Sequence, residues 1–277
     1  MQSSFLNPEF ISLLGVLVIS GIITGLLAGL FGVGGGIVLV PALLYVFDEM
    51  GYNPEFTTHM AIGTSLAVIV PTSIFSAYSY HKRGSININL FCRLAIPVSV
   101  FALLGAWLAG NLGGDILRGI FAILIILIAL NLLREKNLLL GKNLPSLPKL
   151  WSVVGLIGLL SSMMGVGGGV YFISFLTAYN VPMLIAVGTA ASLGLMISLP
   201  GSIVYILSGL DSQGLPPWSF GYLSLIGFIC IIPMTMMMAP QGAKLAHYLN
   251  KGKLKRFFAI FLIFMSFHML YKIFFKN

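Results

Sequence analysis

Apolar residues run along this chain in long blocks cut by short polar or glycine-rich stretches, and the blocks fall into two sets of five. The first set covers 10–31, 36–47, 57–80, 88–110 and 115–134; the second covers 151–164, 169–180, 183–208, 218–239 and 254–274. The last three blocks of each set reach or approach the ~20 apolar residues a helix needs to cross a bilayer, and they are predicted to be full spans. The second block of each set has 12 residues. At ~1.5 Å per residue such a helix covers about 18 Å of a ~30 Å hydrocarbon core, so it cannot cross unaided.

The two sets share words in the same order. "GVGGG" at 32–36 returns at 165–169, and "AIGTS" at 61–65 is answered by "AVGTA" at 186–190. "IP" at 96–97 returns at 232–233, and "ILRGIFAI" at 116–123 is answered by "KLKRFFAI" at 253–260. The offsets drift slowly through 133, 125, 136 and 137 residues. The expectation is a single membrane domain, 1–277, made of internal repeat 1 at about 8–134, a cytoplasmic linker at 135–150 and internal repeat 2 at about 151–277.

Composition agrees. Hydrophobic residues make up 58% of the chain and charged residues 8%, against about 25% charge in a soluble domain; mean hydropathy is +1.02. Cys92 and Cys230 lie inside apolar blocks and read as small buried hydrophobes. Lysine and arginine gather at Lys82 and Arg83, at Arg134, Lys136, Lys142 and Lys149, and at Lys244, Lys251, Lys253, Lys255 and Arg256. Basic loops stay cytoplasmic. The loops near Asp48 and Glu49, Asn111 to Asp115, and Asp211 to Pro217 lack both residue types and should face outward. The two sets agree with this only if the first two blocks of each return the chain to its starting side. The repeats are then inverted. The predicted fold is an all-α polytopic membrane protein, each repeat holding a glycine-broken helical hairpin and three full transmembrane helices.

A broken helix inside a bilayer survives only where its backbone is buried in protein or lines a polar cavity. Glycine words at matching places in two inverted halves point to a transporter's substrate site. A helix starting after such a turn offers free amides and a positive dipole end, which suit an anion. Close packing is the other use of glycine in membranes; Gly21, Gly25 and Gly29, spaced four apart, fit it better. The consecutive Gly34, Gly35 and Gly36, with Gly167, Gly168 and Gly169, fit a binding or hinge role. Gly32 and Gly165 open the two words. A second candidate is the word Gly63-Thr64-Ser65 with its counterpart Gly188-Thr189, and Ser192 nearly one turn beyond. Their hydroxyls suit either an anion or their own helix carbonyls.

Other chemistry is thin. No Asp or Glu falls mid-span, Arg93 reads as a snorkelling residue, and His59, His81, His247 and His268 are scattered. No metal site, cofactor or nucleic-acid partner is expected. Neither a P-loop nor a dinucleotide fingerprint follows the glycines, and "GxSxG" and "HExxH" do not occur.

The duplicated glycine word, followed by "AIGTSL" or "AVGTAASL" and in the first copy by Pro41, resembles the sulfite exporter TauE/SafE family, also called the toluene sulfonate uptake permease family. The resemblance covers nearly the whole chain. It implies a permease for sulfite, sulfonates or other organic anions, and points to Gly32, Gly34, Gly35, Gly36, Gly63, Thr64 and Ser65 with their second-copy counterparts. Ser174 stands where the first copy has Pro41, and "GTAAS" replaces "GTS". The expectation is a non-enzymatic secondary transporter of a small anion in a cell membrane, in a bacterium the inner one. Its partners are that anion and the lipid bilayer; a homo-oligomer is left open. A membrane assembly or insertion factor is the alternative, ahead of an intramembrane enzyme.

Overall fold

The computed structural model describes residues 8–31, 34–133, 140, 141, 143–245, 248, 259, 260, 262–264, 266, 267, 269 and 271. The first five helices follow the predicted blocks closely: α1 Pro8–Phe31, α2 Gly36–Glu49, α3 Pro54–His81, α4 Ile88–Gly110 and α5 Gly114–Leu133. Asn53 and Asn87 start α3 and α4 by accepting the amides of Glu55 and Leu90, the bonds that first-turn amides need. Then come α6 Leu147–Met163, α7 Gly169–Ala178 and α8 Met183–Gly209. α6 begins four residues before its predicted block, because Ser146 and Pro148 supply a helix start inside the predicted linker.

The ninth block differs more. Residues 219–224 form a two-stranded antiparallel hairpin, β1 Ser219–Phe220 and β2 Leu223–Ser224, and the helix α9 runs Leu225–Leu245. Trp218 and Gly221 take positive φ there, and the hairpin lies tightly on α8 at Ile206. In the tenth block the described residues 259, 260, 262–264, 266, 267, 269 and 271 are helical. Ser266 ties that segment to α5 through the Ala122 carbonyl at 2.6 Å.

Among the described residues, six helices are long and apolar enough to cross a membrane: those at Ser12–Leu30, Pro54–His81, Ile88–Gly110, Gly114–Asn131, Met183–Gly209 and Leu225–Leu245. The protein is a multi-pass integral membrane protein. α3 is the innermost of the six; 72% of its apolar window is buried against 28% for α9. Apolar side chains face outward along the outer spans, as at Ile96, Trp107, Ile123 and Phe264, which a lipid solvent favours.

The helices pair across the two halves. α1 lies along α9, α4 lies along α6, and α3 crosses α8 at the centre, with α2 on α3 and α7 on α8. Glycines set the closeness of both outer pairs: a Cβ on Gly242 would overlap the Leu26 carbonyl oxygen, and one on Gly105 would overlap that of Leu159. Gly21, Gly25 and Gly29 line the α1 side of its contact with α9, the packing role expected of them.

Candidate functional site

At the centre two chain reversals meet. α1 stops at Phe31 and α2 begins at Gly36; α6 stops at Met163 and α7 begins at Gly169. The residues before the two short helices, Gly35 and Gly168, sit in the left-handed region at φ 79° and 70°, as do Gly34 at 73° and Gly165 at 68°. L side chains are strained there, which is why the turns are written in glycine. Both words are fully buried as far as they are described. Gly32 lies outside the described residues.

The two turns touch. A Cβ on Gly34 would stand 3.2 Å from the Gly167 Cα, and one on Gly36 would overlap the Gly165 carbonyl oxygen. Neither short helix has a side-chain cap. In α7 the first turn closes with the Phe172 amide donating to the Gly168 carbonyl at 3.0 Å. Helix geometry leaves the amides of Gly169, Val170 and Tyr171 without an acceptor in their own helix. Amides and a positive dipole end thus collect at the contact between the halves.

The carbonyls at the ends of the preceding helices are covered from α3 and α8. The Tyr80 hydroxyl donates to Gly29 at 2.7 Å, and the Tyr205 hydroxyl donates to Met163 at 3.4 Å. Both tyrosines are fully buried. Ser65 donates to the Gly165 carbonyl at 2.7 Å, so the first half's "GTS" word holds the second half's glycine turn. Ala190 stands at the corresponding place in the second half and brings no hydroxyl.

Thr64 and Thr189 are engaged elsewhere. Thr64 Oγ1 accepts the Ser224 amide at 2.9 Å, just before α9; Thr189 Oγ1 accepts the Asn87 amide at 3.3 Å, just before α4. The glycine ahead of each threonine lets the loop come close. A Cβ on Gly63 would lie 2.5 Å from the Tyr222 carbonyl oxygen, and one on Gly188 would overlap that of Ser85. Each "GT" word therefore holds the loop that leads into the other half's fourth span. Ser192 donates back to Gly188 in its own helix at 3.1 Å.

Several buried polar groups lie outside the glycine and "GT" words, and the hydroxyls among them went unmarked in the sequence. Thr24, Ser73, Ser161 and Ser198 are buried with hydroxyls that have no hydrogen-bond partner among the described residues. Arg118, buried in the first turns of α5, pairs with Asp48 at the end of α2 at 3.2 Å. His59 Nε2 lies 3.0 Å from the Leu112 carbonyl and 3.2 Å from that of Ala109, donating at the end of α4, and its ring stacks on Tyr222. Among the described residues no group of three His, Cys, Asp or Glu is placed to hold a metal ion.

A bundle of membrane-spanning helices closes around two broken ones, with a polar backbone contact at its centre, and family and relatives give its class: a polytopic membrane transporter with a small-molecule substrate. The family model described as "Sulfite exporter TauE/SafE" matches residues 17–269, and the chain belongs to that family. A "Probable membrane transporter protein" of Haemophilus influenzae is 35% identical over 256 residues, covering 91% of this chain and 96% of that protein. A protein of the same description from Methanocaldococcus jannaschii is 30% identical over 236 residues, covering 84% of each. One from Bacillus subtilis is 26% identical over 214 residues, 70% of this chain and 78% of its own. No solved structure matches the chain.

Proposed function

We propose that this transporter moves a small sulfur-containing or organic anion, sulfite or a sulfonate, and that it does so without catalysis. The anion sits between the turns at Gly34–Gly36 and Gly165–Gly169. The observation that carries this is the meeting of two glycine-capped helix starts, one from each half, in a buried centre. Amides and helix dipoles there favour negative charge. The halves act as inverted repeats, 8–134 and 151–277 on either side of a cytoplasmic linker, and alternate access by rocking about the crossing of α3 and α8. Paired features support that arrangement: Thr64 with Thr189, Tyr80 with Tyr205, and the reciprocal packing of α1 on α9 and α4 on α6.

The test is uptake by the purified full chain in proteoliposomes of a panel of sulfur oxyanions and organic sulfonates, with and without an imposed proton gradient. At least one member should accumulate above empty vesicles. No flux under any condition overturns the reading and favours an assembly or insertion factor.

A further inference from the structure

One polar pair is explained neither by the helix packing nor by the loops that the "GT" words hold. Ser73 on α3 and Ser198 on α8 stand 125 residues apart, the same separation as Thr64 and Thr189. They are 2% and 0% exposed, and neither hydroxyl has a hydrogen-bond partner among the described residues. A helical serine or threonine can always turn back to its own helix carbonyls. Thr72 does so to Val68 and Ser192 to Gly188. Ser73 and Ser198 do not.

Ser73 lies beside the second glycine turn, and Ser198 follows on the α8 face that Ser73 meets. A Cβ on Gly194 would stand 2.9 Å from Ser73 Oγ and 3.4 Å from the Gly167 carbonyl oxygen; Ser198 is one turn further along that face of α8. Ile69, one turn before Ser73, touches Gly34 and Gly36, and Ile197, next to Ser198, touches Gly168. Ser161 adds a third unpartnered hydroxyl, 3.0 Å from where a Cβ on Gly168 would be. Buried polar groups are almost always bonded, and each of these three unpartnered hydroxyls calls for an acceptor.

We propose that Ser73, Ser198 and Ser161 are the side-chain ligands of the transported anion, and that this site selects a monoanion over a dianion. The proposal rests on the anion-transport reading above. Among the described residues, the groups nearest the turn glycines are neutral: a hydroxyl, backbone groups and apolar side-chain carbons. Dipoles alone must then replace the ligand's water. The desolvation cost of an ion grows with the square of its charge, so a second charge is disproportionately costly where no cation is present. Thr64 and Thr189, already holding loops, are positioning residues.

The test compares methanesulfonate, a monoanion, with sulfate, a dianion, in proteoliposomes of the full chain. Methanesulfonate uptake should exceed sulfate uptake, and Ser73→Ala and Ser198→Ala should each lower kcat/KM by about tenfold, the effect of losing one hydrogen bond to a charged ligand. Ser73→Thr should keep most of the activity. Melting temperatures of the alanine variants should stay level or rise, because an unbonded buried hydroxyl is removed. Alanine variants as active as the parent, or a fall in melting temperature parallel to the loss of uptake, overturn the ligand assignment. Equal uptake of the two anions overturns the charge selection. A parent chain that moves no anion overturns the transport reading itself.

Discussion

Thr64→Val separates a hydroxyl that holds a loop from one that holds a ligand. Valine keeps the shape of threonine and removes only the oxygen. Ser224 is 3% exposed and its amide donates to Thr64 at 2.9 Å. Without that acceptor the amide is left buried and unbonded, which costs about 1–3 kcal/mol. At about 2–4 °C per kcal/mol for a chain of this size, the melting temperature should fall by about 2–12 °C. Thr189→Val is the internal control. Asn87 is exposed and its bond is longer, 3.3 Å, so water can take the vacated place; the cost there should be under about 1 kcal/mol. The assay is size-exclusion of fluorescently tagged protein after heating in detergent, beside uptake at a temperature where both variants are folded. Thr64→Val should melt lower than Thr189→Val, and both should keep the parent's KM. Unchanged melting with a raised KM in Thr64→Val would refute the reasoning and return the threonine to the ligand set.

Two further outcomes are expected. Asp48→Asn leaves the Arg118 guanidinium, 7% exposed, without its carboxylate; breaking such a pair from one side costs about 3–5 kcal/mol, and the double variant Asp48→Leu, Arg118→Met should melt above the single one in the same heating assay. For the membrane arrangement, Lys82→Cys and Asp211→Cys, placed singly in a chain with Cys92 and Cys230 replaced by alanine, should react with an impermeant maleimide from opposite sides of the membrane. Labelling from the same side would make the repeats parallel.

Much of the helical framework is legible in the apolar blocks, because block length and bilayer thickness constrain each other. α3, α4 and α8 begin and end within a few residues of their blocks. The ninth block misleads because "WSFGYLS" runs without a charge or a proline into the apolar residues of α9, while the turn at Gly221 depends on contact with Ile206 across the chain. The glycine turns are legible since four glycines in five residues leave few uses inside a membrane. The "GT" words are visible as words but not in their use, which depends on loops 102 and 160 residues away. Ser73 and Ser198 carry no local pattern at all. Their only trace in the sequence is the 125-residue spacing they share with the threonines, and searching every polar residue of one half for a partner at that distance would have found them.

The pairing of α1 with α9 and of α4 with α6 also bears on how the chain is made. When the ribosome has delivered residues 1–133, α1 and α4 are in the bilayer without the surfaces they will finally cover. Glycine faces such as that of α1 must wait there, sheltered by lipid or by the insertion machinery, until α9 arrives some two hundred residues later. Contacts so distant in sequence form late and slowly. The final structure is thus closed by its last helices, and a chain truncated before α9 loses the fastening of its first span along with the span that is missing.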